Sequence, residues 1–63
     1  RTFVDFVNDY RISRACNLLL ETHKSVSEIA FDCGFQNISN FNRVFKNKKF
    51  FTPKEFRVQY SAV

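Results

Sequence analysis

Ser39, Asn42, Arg43 and Lys46 are spaced i, i+3, i+4 and i+7, so a helix through them carries all four on one arc. Their chemistry is recognition, not reaction. A guanidinium can fork onto a guanine edge, a carboxamide can pair with adenine, and a hydroxyl can donate or accept. Asn37 is a good N-cap for that helix. With the backbone N–H groups around it, Asn37 could also hold a phosphate. The plainer reading is a solvated face whose Lys46, Lys48 and Lys49 complement the negative end of the helix dipole. For Lys48 and Lys49 the plainer reading is preferred, and for Arg43 contact with DNA is preferred.

Catalysis has little to start from. The chain has one His, no glycine-rich loop and no clustered carboxylates from which to build a site. Cys16 and Cys33 are the only cysteines, are not spaced CxxC, and make no zinc set with a single His. They read as two reduced thiols used as small core residues, which fits the cytosol. No metal and no cofactor is expected.

The polar arc needs elements that aim it, and residues 25–45 supply them. Ser25-Val26-Ser27-Glu28 has the form of a capping box. Val26, Ile29, Ala30 and Cys33 then follow at helical period, which predicts a short helix over 26–33. Gly34, the only glycine, is placed to stop it, because glycine accepts positive φ without a Cβ clash. A second helix over 38–48 turns Phe41 and Phe45 inward, with Ile38 beside them. Two short helices around one glycine turn have the plan of a helix-turn-helix. Ala30 would let the second helix cross closely over the first. From the pattern alone, an ordinary αα-corner with no nucleic-acid role fits nearly as well.

Residues 2–22 read as one long helix with Thr2 as N-cap, and its apolar face changes direction. At about 100° per residue, Phe3, Phe6, Val7 and Tyr10 gather on one side, while Ile12, Ala15, Leu18 and Leu19 gather on a side rotated by roughly 140°. A helix buried against one neighbour has a single stripe. Two stripes end to end suggest a helix shared by two packing units, the first of which precedes Arg1. The alternative is a last helix that folds back onto Phe3, Phe6 and Val7. His23 and Lys24 are placed to complement the end of the long helix. Thr52-Pro53-Lys54-Glu55 opens a final helix over 53–60 with a capping box and Pro at its first position. Phe56 and Tyr60 dock it on the core, and Arg57 points elsewhere, to an acidic group such as Glu28 or to a phosphate, with the ion pair preferred. Residues 61–63 read as a fraying end.

Length and composition agree with one small all-α domain. Sixty-three residues bury little, yet 44% hydrophobic residues, nine of them Phe, argue against disorder. Strand-like alternation is missing. The net charge of +4 favours an anionic partner, although it also serves solubility. No apolar run is long enough to span a membrane.

Arg11-Ile12-x-x-Ala15-x-x-Leu18-Leu19, Ser27-Glu28-Ile29-Ala30, Gly34-Phe35, Phe41-x-Arg43-x-Phe45-Lys46 and Thr52-Pro53-x-x-Phe56-Arg57 follow one another in order. Together they resemble the DNA-binding domain of the AraC/XylS transcription regulators over nearly the whole chain. The resemblance implies an all-α, homeodomain-like helix-turn-helix of four helices, about 2–22, 26–33, 38–48 and 53–60. It implies the second half of that domain: the linker helix 2–22, the second helix-turn-helix 26–48 and the C-terminal helix 53–60. The first helix-turn-helix would lie before Arg1, in agreement with the split apolar face. It implies a cytoplasmic bacterial regulator that binds double-stranded promoter DNA. It implies that the second recognition helix is 38–48, with Ser39, Asn42 and Arg43 at base-facing positions, while the residue types of Asn37 and Lys46 suit the phosphate backbone. Members of the family often touch RNA polymerase as well, so a protein-interaction module is the rival reading. The sequence departs from the family at Phe50, where the loop before the Thr-Pro cap usually has Gly. If that loop needs positive φ, a Phe costs about 1–2 kcal/mol. The expectation is that the recognition helix ends differently and that Phe50 or Phe51 packs inward.

Overall fold

Each helix starts where a short side chain closes onto its first turn. The computed structural model describes residues 2–61 and shows among them α1 (Phe3–Glu21), α2 (Val26–Asp32), α3 (Ile38–Lys49) and α4 (Pro53–Tyr60). The Asp5 N–H donates to Thr2 Oγ1 at 3.1 Å, and the Asn40 N–H donates to Asn37 Oδ1 at 2.7 Å. Before α2 and α4 the capping boxes close in both directions. Glu28 N–H donates to Ser25 Oγ while Ser25 N–H donates to Glu28 Oε1, both at 3.1 Å. Glu55 N–H and Thr52 N–H make the same exchange at 3.2 and 2.9 Å. Pro53 follows Thr52 at the first helical position and is buried there. Each such cap contributes about 0.5–2 kcal/mol, so the four starts are fixed locally by residues that the sequence displays.

The helices close around one apolar cluster. α1 packs on the other three, and α3 packs on both α2 and α4. Ile12, Ala15 and Leu19 of α1 meet Ile29, Ala30 and Cys33 of the α2 region and Phe35, Phe41, Val44 and Phe45 around α3. Ala30 is completely buried, as expected of a small residue where α3 crosses α2. An aromatic chain runs through the cluster. The Phe35, Phe41, Phe45, Phe56 and Tyr60 rings follow one another at centroid separations of 5.1, 5.7, 5.4 and 4.8 Å. These are tilted and edge-on contacts, which aromatic quadrupoles favour.

The two stripes of α1 behave differently. The second is the core of the domain, with Leu18 half-buried at its edge. The first stands out from it: Phe3 is 80% and Phe6 64% exposed, Tyr10 is exposed too, and Val7 is half-buried. α4 does not fold back onto these residues. It docks at the other end of α1, where Arg57 reaches the Leu19 and Thr22 carbonyls.

That contact corrects two expectations. Arg57 does not meet Glu28, whose carboxylate accepts from the Ser25 N–H. Its Nε donates to the Leu19 carbonyl at 2.9 Å and its Nη2 to the Thr22 carbonyl at 3.2 Å. His23 and Lys24 do not complement the end of α1, because the helix stops at Glu21 with Thr22 as an extended C-cap. Lys24 instead pairs with Asp32 at 2.7 Å. A side chain 35 positions away supplies the positive charge and the donors that the last carbonyls of α1 need. Ile38 is the third correction, since it sits on the margin of the exposed surface. Val44, absent from the expected inward face, is buried with Phe41 and Phe45.

α2 ends as Gly34 predicted. Gly34 has φ 92°. Its N–H donates to the Phe31 carbonyl at 3.1 Å, and the Phe35 N–H donates to the Ala30 carbonyl at 3.0 Å. This pair of bonds is the Schellman motif. α3 ends otherwise than expected. Phe50 takes φ 70° and is 81% exposed, so the helix keeps a left-handed C-cap although no glycine is there. Of the two phenylalanines only Phe51 packs, half-buried against the Tyr60 ring at 5.9 Å. Ser61 is the C-cap of α4; residues 62 and 63 of the expected fraying end lie outside the described residues.

Candidate nucleic-acid interface

α3 presents its polar arc because Phe41, Val44 and Phe45 are held inside. With those three buried, helix geometry turns Ser39, Arg43 and Lys46 outward and leaves Asn42 half-buried at the edge. The structure therefore brings Ser39, Asn42, Arg43 and Lys46 onto one side of one helix, with exposed Asn37 at its start. α2 fixes the tilt of that helix. Ile29 and Ala30 are fully buried beneath it, and the Schellman turn leads directly into Phe35, whose ring packs on Phe41.

The start of α3 contains a small hydrogen-bonded relay. Asn37 Oδ1 accepts from the Asn40 N–H at 2.7 Å, and Asn40 Oδ1 accepts from Arg43 Nη2 at 2.5 Å. The cap uses the oxygen of Asn37, so its amide nitrogen still carries donors. Arg43 is held by one Nη2 bond, with Nε and Nη1 left to supply further donors from a restrained position. Asn40 is the residue that reading the sequence missed. The signal was there, because positions 37, 40 and 43 are each three apart and neighbours on a helix surface.

The lysines divide by neighbour. Lys48 is not part of a solvated face: its Nζ pairs with Asp9 Oδ1 at 2.7 Å, tying the end of α3 to the first half of α1. Lys46 is exposed and lies within electrostatic reach of Glu55 at the start of α4. The Glu55 carboxyl is held below its ordinary value chiefly by the hydrogen bond from the Thr52 backbone, and Lys46 adds to that. Lys49 is exposed on the surface above Cys16, whose thiol is pushed up by burial and pulled partly back by that lysine. Cys33 is buried and likewise pushed up. A raised thiol is a poor nucleophile at neutral pH, in keeping with packing roles for both.

The turn between the helices is held from α1. Arg14 Nη1 donates to the Asp32 carbonyl at 2.8 Å. The Arg11 guanidinium lies over the Phe35 ring at 5.8 Å, within cation–π range. A Cβ added to Gly34 would stand 3.2 Å from Arg11 Nε. Both arginines thus serve the frame behind the interface.

Geometry of this kind has counterparts. A family model described as a helix-turn-helix domain matches residues 1–59. The chain is 43% identical over 58 residues to the xylose operon regulatory protein of Haemophilus influenzae, covering 92% of this chain and 15% of that protein. It is 37% identical over 54 residues to the HTH-type transcriptional activator RhaS of Mannheimia succiniciproducens, covering 86% of this chain and 20% of that protein. The chain belongs to the AraC/XylS family of transcription regulators.

Solved structures agree with that membership. The C-terminal domain of the two-component response regulator yesN from Fusobacterium nucleatum superposes with a TM-score of 0.87 at 35% identity, covering 90% of this chain and 55% of that one. The xylose-binding transcription activator xylR gives the same TM-score at 33% identity, covering 97% of this chain and 16% of that one. This AraC/XylS chain is an all-α helix-turn-helix domain of the DNA-binding kind used by transcription regulators. It spans a fifth or less of the length of the curated relatives named. Among the described residues no helix is long and apolar enough to cross a membrane.

Proposed function

We propose that this domain reads duplex DNA by laying α3 in the major groove, with α2 steadying it across the backbone. The observation that carries this reading is the arc of Ser39, Asn42, Arg43 and Lys46 on one face of a helix whose other face is locked into the core. In this mechanism Arg43, pre-aimed by Asn40, contacts a base edge together with Ser39 and Asn42. Lys46, the Asn37 amide and the first backbone N–H groups of α3 hold phosphates and set the register. The role is binding rather than catalysis, as in the relatives, and belongs to the bacterial cytoplasm, where the promoter is.

One recognition helix makes few contacts, so this half binds weakly by itself and more weakly as salt rises. The exposed stripe of Phe3, Phe6 and Tyr10 supports a partner for the first half of α1. In our reading that partner is the first helix-turn-helix of the same regulator, and linkage of the two halves makes the second engagement intramolecular. The rival occupant of an exposed face is another protein, either RNA polymerase or a second regulator subunit.

An amide NMR titration with a random short duplex at low and moderate salt tests the DNA face. Shifts confined to residues 37–46 that fade with salt are expected. A dispersed spectrum that ignores the duplex at low salt would count against DNA and for a protein partner. Arg43→Ala is expected to weaken binding to a selected duplex by about 1–3 kcal/mol and to blur one base position. Unchanged affinity and unchanged sequence preference would remove Arg43 from the contact set.

A further inference from the structure

Phe50 is the one non-glycine residue with positive φ among the described residues, and its ring is largely in solvent. For a bulky side chain the left-handed region is unfavourable, and here no burial offsets the strain. An outlier held in place without a packing return is grounds for asking what the residue does. Its placement gives an answer. The Phe50 N–H still donates to the Lys46 carbonyl at 2.8 Å, so the residue remains on the path of α3. Its Cα continues the line of Ser39, Arg43 and Lys46 at i, i+4, i+7 and i+11, two helical turns and about 10 Å beyond Arg43. The neighbouring chain is cationic: Lys46, Lys49 and Lys54 lie within four positions of it and are all exposed. The nearby acid, Glu55, already accepts from the Thr52 N–H. An apolar ring set among lysines, in line with a base-facing arc, suits a polyanion that has apolar edges.

We propose that Phe50 is a further DNA-contacting residue of α3. Its ring packs on an apolar edge of the duplex, a thymine methyl or a deoxyribose, beyond the base met by Arg43. Phenylalanine against the thymine methyl is an established form of apolar readout, and the left-handed cap is what keeps the ring out of the domain and available. This inference rests on α3 being the recognition helix.

The test uses the full-length protein and a duplex that it selects from a random-sequence pool, with affinity read by fluorescence anisotropy at fixed salt. Phe50→Gly and Phe50→Asn both accept the left-handed backbone and remove the ring. Both are expected to bind roughly fivefold to tenfold more weakly, while amide exchange in α3 and α4 is as slow as in the parent or slower. Loss of affinity with gain of local stability is what a contact residue gives and a packing residue does not. Deoxyuridine placed for each thymine in turn separates the two edges. A substitution that weakens the parent but not Phe50→Gly marks a methyl contact. Weak binding by both variants with no sensitive thymine marks the deoxyribose. Variants that bind like the parent while Arg43→Ala does not would overturn the Phe50 contact alone and leave the ring to a protein partner. A parent that selects no sequence, and is unaffected by Arg43→Ala, would overturn the recognition-helix reading on which the inference stands.

Discussion

The chain leaves α2 and α3 by the same backbone move and with opposite side chains. Gly34 and Phe50 are both left-handed, at φ 92° and 70°. After Gly34 the next residue, Phe35, dives into the core against Phe41, and Arg11 covers the turn so closely that a Cβ would meet it. After Phe50 the next residue only leans on Tyr60, and Phe50 itself is open to solvent. Glycine is needed where both the dihedral and the space demand it. Where only the dihedral does, a larger residue persists if its surroundings over-determine it. Around Phe50 they do: its N–H closes the last turn of α3, and the Thr52–Glu55 capping box fixes the chain two residues later.

Breaking this contrast begins with the residues that follow the two exits. Phe35→Ala is expected to cost about 3–5 kcal/mol, the usual loss for a buried phenylalanine, and Phe51→Ala less than half of that. Urea midpoints of the two variants check it, and equal losses would mean the exits are anchored alike. Gly34→Ala comes next, at about 1–2 kcal/mol for the left-handed alanine, with Arg11 forced to give way as well. An unchanged midpoint would show that the turn can relax to negative φ. Phe50→Gly has the opposite sign. Relief of the same strain, reduced by the greater freedom of glycine in the unfolded chain, leaves about 1 kcal/mol of stabilisation. Destabilisation would show that the ring packs on something after all.

The smallest effect is one of pH. The Glu55 carboxyl is held below its ordinary value by the Thr52 N–H. Its support for the α3–α4 loop is therefore complete above the ordinary glutamate range and fades as pH falls through the lowered value. Thr52 and Glu55 amide shifts followed into acid are expected to move together in that range, with α4 protection declining. Flat shifts would mean that the box does not respond to the charge.

Much of this was legible because it is local. The four N-caps lie within four residues of the amides they satisfy, so Thr2, Ser25, Asn37 and Thr52 announce the helices directly. Gly34 announces the first exit, since positive φ selects glycine within one residue. The polar arc of α3 follows from the spacing of Phe41 and Phe45, and with it Ser39, Arg43 and Lys46. Arg57 was misread because its partners are carbonyls left over at a helix end. Backbone acceptors carry no sequence signature, so an acidic residue was the nearer guess. Lys48 was misread for a related reason: Asp9 becomes its neighbour only when α1 crosses α3.

Where the helices begin, how α2 ends and which side of α3 is polar follow from spacing within a turn or two, and the ordered motifs along the chain carry the family. That α4 closes the far end of α1 through Arg57 and that Phe50 keeps a glycine's conformation in solvent depend instead on how segments meet in space. Burial, crossing and the dihedral of a loop are settled by the whole domain together, and no short window of residues contains them.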